Sequence, residues 1–149
     1  MKNKYFCTEM NKKKTIVFIL NPHSGTHSKV QMPALIDSTL DKEKFCHKVV
    51  FTEFAGHAAD IARQCVEEHV DIVVAVGGDG TINEVARSIV HSDTALGIIP
   101  CGSGNGLARH LCIPLEPKKA IAIINKACIE SLDYGVSNEL PFFCTCGMR

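Results

Sequence analysis

Apolar residues in this chain fall into short runs separated by longer stretches with helical spacing. The runs near 15–20, 47–52, 71–76 and 95–100 are strand-sized. Ile72 to Val76 shows no polar alternation, the mark of a strand covered on both faces. Between the runs, Ala58, Ile61, Ala62, Cys65 and Val66 recur at a helical period, as do Ile82, Val85, Ala86 and Ile89. Helices are therefore predicted near 31–40, 57–69, 81–91 and 105–111, with another from Pro117 to about Lys126. Such alternation predicts a parallel sheet with right-handed crossovers. Past residue 130 the pattern changes. Ser131 to Val136 and Leu140 to Cys146 alternate as strands around Ser137-Asn138-Glu139, which predicts an antiparallel hairpin. Residues 1–13 read as a loose leader, 14–130 as one α/β unit and 131–149 as the start of a different one.

Two of the predicted strand-to-helix joints are rich in glycine. Val76 runs into Gly77-Gly78-Asp79-Gly80-Thr81, and Pro100 into Cys101-Gly102-Ser103-Gly104-Asn105-Gly106. A plain turn needs one glycine, and adjacent glycines weaken the strand and helix they join. Bare amides at a helix start suit phosphate oxygens, so both joints read as phosphate-binding loops at the carboxyl ends of their strands. Asp79 is the one carboxylate in the first loop and can serve either a magnesium ion or a hydroxyl proton. Two common nucleotide motifs are absent. There is no G-x-x-x-x-G-K-[ST], and the third glycine of a G-x-G-x-x-G would fall at Leu107.

Charge narrows the partners. The 149 residues hold 16 Lys+Arg and 16 Asp+Glu, a formal balance of zero that argues against a dedicated nucleic-acid binder and a strongly polybasic membrane anchor. The apolar runs fall short of the roughly 18 residues that span a bilayer. The N-terminus is polar and lacks the apolar core of a signal peptide. A cytoplasmic protein, or one peripheral at the inner membrane face, is expected. Eight cysteines then read as reduced thiols, and Cys144-x-Cys146 lacks the paired spacing of a structural zinc site. His57 reads as a residue packing at a helix start in preference to a general base. Arg109 is open between a phosphate contact and a surface charge, and Lys118 and Lys119 read as solvated.

Four segments in order carry a resemblance. They are Asn21-Pro22-His23-Ser24-Gly25, Thr52-Glu53-Phe54-Ala55-Gly56-His57-Ala58, Gly77-Gly78-Asp79-Gly80-Thr81 and Gly102-Ser103-Gly104-Asn105. From about Ile16 onward the chain resembles the diacylglycerol kinase catalytic-domain family, which includes bacterial lipid kinases and the sphingosine and ceramide kinases. NAD kinases and phosphofructokinases are more distant and share the Gly-Gly-Asp-Gly element. The resemblance implies an α/β fold: a Rossmann-like parallel sheet flanked by helices, followed by the start of a truncated β-rich domain. It also implies ATP as co-substrate, Mg²⁺, and transfer of the γ-phosphoryl group to a lipid hydroxyl, diacylglycerol- or sphingosine-like, at a membrane surface.

The same resemblance assigns residues. Asn21, Ser24 and Gly25 are placed beside the nucleotide phosphates and Thr52 on ATP. Gly78, Asp79, Gly80, Thr81, Asn83 and Glu84 line the phosphate and adenosine region, and Ser103, Gly104 and Asn105 form the fourth motif. Asp79 is the candidate catalytic residue, and no metal ligand set is assigned. Many relatives carry Asp where this chain has Gly106, a change that leaves the lipid open. In the family a β-rich domain follows, supplying the lipid cleft, further magnesium carboxylates and the general base. A chain stopping at Arg149 is then a fragment of a longer kinase, or a naturally short form that has lost catalysis. Either way the isolated chain is expected to bind nucleotide weakly and turn over slowly or not at all. A hairpin of about five residues per strand is marginal alone, so its apolar face is expected to lie open or to pair in a homodimer. Two other functions stay in view: a kinase of a soluble substrate such as NAD, and a non-catalytic nucleotide-binding module.

Overall fold

A computed structural model describes residues 12–23 and 29–143. The first strand, β1 (Lys14–Leu20), is followed by a short 3₁₀ turn at Lys29–Gln31 and helix α1 (Met32–Thr39). Next come β2 (Phe45–Phe51), α2 (His57–Glu67), β3 (Ile72–Gly77), α3 (Asp79–Ile89), β4 (Ala95–Pro100), α4 (Gly106–His110) and α5 (Pro117–Asn125). A hairpin of β5 (Gly135–Ser137) and β6 (Leu140–Phe142) ends the described chain. The first four strands form one parallel sheet in the order β2-β1-β3-β4. The expected α/β fold is present, a Rossmann-like parallel sheet flanked by helices.

Strand alternation sorts the core into two layers. Val17, Ile19, Val73, Ala75 and Ile98 face one way and meet Ala58, Ile61, Ala62 and Cys65 of α2, Ile82, Val85 and Ile89 of α3, and Leu107 and Ala108 of α4. Ile16, Phe18, Leu20, Ile72, Val74, Val76 and Ile99 face the other way, onto Met32 and Ile36 of α1 and Ala120 and Ile121 of α5. Because β1 and β3 are covered on both sides, they tolerate an unbroken apolar run, and all six residues of β3 are buried. Strand order reverses between β1 and β3. In an open parallel sheet, ligands bind in the crevice beyond the carboxyl ends at such a point.

Several boundaries differ from the pattern in the sequence. Helix α3 begins at Asp79, two residues before the expected 81, so Asp79 and Gly80 form its first turn. Gly78 is the residue before it, with φ −89° and ψ −172°, an extended conformation open to any residue. The hairpin is shorter than expected. Only Gly135–Ser137 of the first strand forms, and the turn contracts to Asn138-Glu139. Both turn residues have positive φ, 49° and 65°, as a two-residue hairpin with type I′ twist requires. Leu140–Phe142 forms the second strand, and the expected continuation through Cys144 to Cys146 lies outside the described residues.

The hairpin also docks within its own chain. The Pro141 carbonyl accepts from Arg87 Nε of α3 at 2.7 Å, and the Tyr134 hydroxyl lies 2.9 Å from His91 Nε2. Phe143 packs against the first core layer, while Val136 and Leu140 remain exposed. The expectation of an open apolar face holds for those two residues.

The described cysteines agree with reduced thiols. Cys46, Cys112 and Cys128 are exposed, and Cys65 is buried in the first core layer. Burial pushes the Cys65 thiol up from its ordinary pKa, with the Glu68 carboxylate adding to the effect. Thiolate is the reactive form. Native-state alkylation near neutral pH is expected to modify Cys46, Cys112 and Cys128 well before Cys65, with Cys65 gaining as the pH is raised; mass-spectrometric mapping over a time course checks the order.

Candidate functional site

The parallel ladder continues one residue past the strands and so fixes where each loop leaves. The amide of Asn21 donates to the Val76 carbonyl at 3.2 Å, that of Thr52 to Leu20 at 2.9 Å, and that of Cys101 to Gly77 at 2.8 Å. Four loops thus start in register at one end of the sheet.

Beyond β3 and β4 the two glycine segments touch. A Cβ on Gly102 would stand 2.6 Å from Gly78 Cα, and one on Gly78 would stand 3.3 Å from Gly102 Cα. The approach itself requires a glycine at 102 and leaves only a tight fit for a methyl group at 78, whose backbone angle any residue adopts. The residue that does take the left-handed conformation in the fourth loop is Asn105, with φ 56° and ψ 44°. Asn accepts that region more readily than most residues. Its side chain, only 4% exposed, closes the loop like a second backbone strand. Asn105 Oδ1 accepts from the Gly102 amide at 2.9 Å and Nδ2 donates to the Gly102 carbonyl at 2.7 Å.

Asp79 joins the two loops. Its Oδ1 accepts from the Gly106 amide at 2.8 Å, capping the first turn of α4, and a Cβ on Gly104 would lie 2.8 Å from its Oδ2. Arg109 Nε donates to the Gly104 carbonyl at 2.8 Å, so Arg109 is a tie within the loop, a role that neither sequence reading supplied. Ser103, Gly104 and Gly80 are exposed at this surface.

A second feature lies across the β1/β3 reversal. Asn21 Nδ2 donates to Thr81 Oγ1 at 3.2 Å, and Asn21 Oδ1 accepts from the His23 amide at 2.9 Å. Thr52 and Thr81 are both buried, at 7% and 5% exposure. With His23, Phe54, Ala55, Ala58 and Glu84 these residues line a cleft of about 230 Å³. Asn83 lies on the same helix, and its Oδ1 is buried without a hydrogen-bond partner among the described residues. His57 sits at the start of α2 and accepts from the Glu53 amide through Nδ1 at 3.0 Å, which agrees with a packing role.

The sequence-predicted residues therefore divide into two groups. Asn21, Thr52, Thr81 and Glu84 share the cleft, while Gly78, Asp79, Gly104 and Asn105 make the loop contact with Gly80 and Ser103 beside it. Ser24 and Gly25 lie outside the described residues. The sequence placed Gly102 and Gly106 in a phosphate loop without a specific contact, left Arg109 open between a phosphate contact and a surface charge, and gave Phe54 no role of its own. Phe54 had a signal, a large aromatic side chain inside an otherwise small and polar loop. Gly102 had none beyond its place in the glycine run, because its role is set by a neighbour across the sheet.

The two features differ in chemistry. Exposed loops at the starts of α3 and α4 carry amide donors and little side-chain bulk, fit for phosphate oxygens. The cleft is lined by apolar Phe54, Ala55 and Ala58 together with the hydroxyl, amide and carboxylate groups of Thr52, Thr81, Asn21 and Glu84. Among the described residues no group of three or more His, Cys, Asp or Glu side chains is placed to hold a metal ion, and no helix is long and apolar enough to cross a membrane.

The loop contact gives a direct test. Gly102→Ala is expected to lower stability by about 2 kcal/mol, because backbone must move to admit the methyl group. Asn105→Ala should cost about 1–3 kcal/mol by stranding both polar atoms of Gly102. Gly80→Ala, whose Cβ would meet nothing within 4 Å, should stay within about 0.5 kcal/mol of the parent. Urea unfolding midpoints separate the three.

Comparison with known proteins gives the family and the fold. Residues 15–137 match the model of the diacylglycerol kinase catalytic domain. A diacylglycerol kinase of Staphylococcus saprophyticus is 34% identical over 136 residues, covering 89% of this chain and 44% of that protein. A YegS-like lipid kinase of Stenotrophomonas maltophilia is 36% identical over 84 residues, or 52% of this chain and 27% of the other. In structure, a diacylglycerol kinase from Bacillus anthracis superposes with a TM-score of 0.73 at 23% identity, over 87% of this chain and 44% of that one. The chain spans less than half the length of these relatives.

Proposed function

The chain belongs to the diacylglycerol kinase catalytic-domain family, and on that footing we propose that it is the nucleotide-binding part of an ATP-dependent lipid kinase. Residues 14–130 are the nucleotide-binding unit, and 131–149 begin a β-rich domain of which the hairpin is the first piece. The observation that carries the reading is the contact of Gly78 with Gly102, a cradle that any Cβ would fill, formed by two loops that both open helices.

In the proposed reaction a lipid hydroxyl oxygen bonds to the γ-phosphorus of ATP, the bond from that phosphorus to the β–γ bridging oxygen breaks, ADP leaves, and the hydroxyl proton passes to a base. Little of this requires covalent help from protein; positioning and charge stabilisation dominate phosphoryl transfer. Backbone amides of residues 78–81 and 103–105 hold the phosphates, the Gly102 amide being taken by Asn105, and Asn21, Thr52, Thr81 and Glu84 hold the nucleoside end. Magnesium commonly takes one or two carboxylates, substrate phosphates and water. Asp79, whose Oδ1 accepts from the Gly106 amide, is the carboxylate of this chain that we assign to that purpose or to accepting a proton. On the family resemblance we assign the remaining carboxylates and the lipid cleft to a second, β-rich domain, and residues 14–130 taken by themselves are expected to bind nucleotide weakly and transfer little phosphate. The substrate is diacylglycerol or a related lipid alcohol, met at a membrane surface.

Calorimetry with MgATP on this chain tests the binding half. Saturable binding that is lost in Gly80→Val and retained in Gly80→Ala is expected; its absence in the folded parent chain would sink the reading. The catalytic half needs a longer form carrying the second domain, assayed with diacylglycerol, sphingosine and NAD, and transfer to a lipid is expected. Asp79→Asn keeps the acceptor on Gly106, so ATP binding should change by less than about threefold while the transfer rate falls at least 100-fold or so. Full activity in that variant would remove Asp79 from the chemistry.

A further inference from the structure

Phe54 is a large apolar side chain left 59% exposed, yet it is held in place. The cause is a turn. The His57 amide donates to the Phe54 carbonyl at 3.2 Å, closing the four residues Phe54-Ala55-Gly56-His57. Gly56 stands third with φ 87° and ψ −11°, the glycine-favouring position of a type II turn. That turn brings its first and last side chains to the same side. The Phe54 and His57 rings stack with centroids 4.4 Å apart and planes 7° from parallel. The imidazole is itself pinned, since Nδ1 accepts from the Glu53 amide at 3.0 Å. One side of the Phe54 ring is thus covered by a fixed partner, and the side chain still lines the cleft of Asn21, Thr52, Thr81 and Glu84.

A rigid aromatic ring at a cleft wall is suited to a planar ligand, because no side-chain freedom has to be lost on stacking. Two features set the ligand's direction. The Glu84 carboxylate lines this cleft and would repel a phosphate chain, whereas it can accept from hydroxyl or amino hydrogens. The cleft of about 230 Å³ is also smaller than the 300 Å³ or so at which drug-sized pockets begin, so it takes one end of a nucleotide. The phosphate loops at Gly78 and Gly102 take the other.

We infer that Phe54, backed by His57, is the stacking platform for the nucleobase of the phosphoryl donor, so that this turn orients the nucleotide relative to the phosphate loops. The inference rests on the nucleotide-binding reading above and goes beyond it in naming the residue that grips the base. His57 is a positioning residue, acting through the Phe54 ring.

The chain has no tryptophan, which makes Phe54→Trp a single reporter at the platform. Its fluorescence should be quenched saturably by MgATP and left unchanged by magnesium tripolyphosphate, which carries the phosphates without a base. Stacking on an aromatic side chain is commonly worth a factor of roughly 5 to 100 in affinity. Calorimetry on the full chain should therefore show Phe54→Ala weakening MgATP by about tenfold or more, tripolyphosphate shifting less than about twofold, and Phe54→Trp keeping ATP affinity within about threefold. Equal loss for ATP and tripolyphosphate in Phe54→Ala would mean that the ring only supports the loop, and unchanged ATP affinity would mean that the base lies elsewhere; either result overturns the platform. A parent chain that binds tripolyphosphate and ATP equally well also overturns it while leaving the phosphate loops intact. A parent chain that binds neither removes the nucleotide reading itself, and the platform with it. Circular dichroism confirms folding of each variant; truncating a mostly exposed ring opens no core cavity.

Discussion

Two backbones touch where β3 and β4 leave the sheet, and the rest of the site is arranged around that contact. Neighbouring strands in a sheet lie about 4.8 Å apart, so loops that continue from them normally diverge to make room for side chains. Here Gly78 and Gly102 lack side chains and the loops stay together. The ladder bond from Cys101 to Gly77 holds one side of this contact, and the Asn105 clasp on Gly102 holds the other. Both following helices then start within reach of Asp79, which belongs to α3 and caps α4. A side chain at Gly102 would force the loops apart, while one at Gly78 would press on Gly102 Cα at 3.3 Å.

This contact also divides the labour of the site. Much of its surface is backbone, and bare amides at helix starts favour anions by direction and dipole without regard to the rest of a ligand, which is why the proposed reading gives them the phosphates. Discrimination has to come from side chains, and those gather across the β1/β3 reversal, where the Asn21 to Thr81 hydrogen bond spans from one loop to the next helix. The reversal of strand order opens a crevice there because the helices on either side pack on opposite faces of the sheet. Phe54 enters this crevice from the edge strand, through a turn that only Gly56 permits.

The hairpin shows a different balance. Two strands of three residues cannot bury enough surface to stand alone. They are placed by a few specific bonds, Arg87 to Pro141 and Tyr134 to His91, and by Phe143 against the first core layer. Val136 and Leu140 are left open on the other side. The α/β unit, by contrast, covers both faces of its sheet within the chain, which is why its elements follow the sequence pattern closely and the hairpin does not.

Periodicity alone set the four parallel strands, the buried stripes of α2 and α3 and the glycine loops at strand ends, since each is a local consequence of which side chains can be buried and which backbone can turn. Ordered motifs in the sequence were likewise enough to place the chain in its family. What the sequence left open depended on partners distant along the chain. Gly102 matters because Gly78 is beside it, Arg109 because Gly104 folds back toward it, and Asp79 spans both loops because β3 and β4 are neighbours. The start of α3 at Asp79 is local, closed by the Ile82 amide on the Gly78 carbonyl, two residues ahead of the start that the periodic stripe predicts. Sequence fixes which residues can form loops, strands and helices; strand order and register decide which of them meet, and only their meeting makes a site.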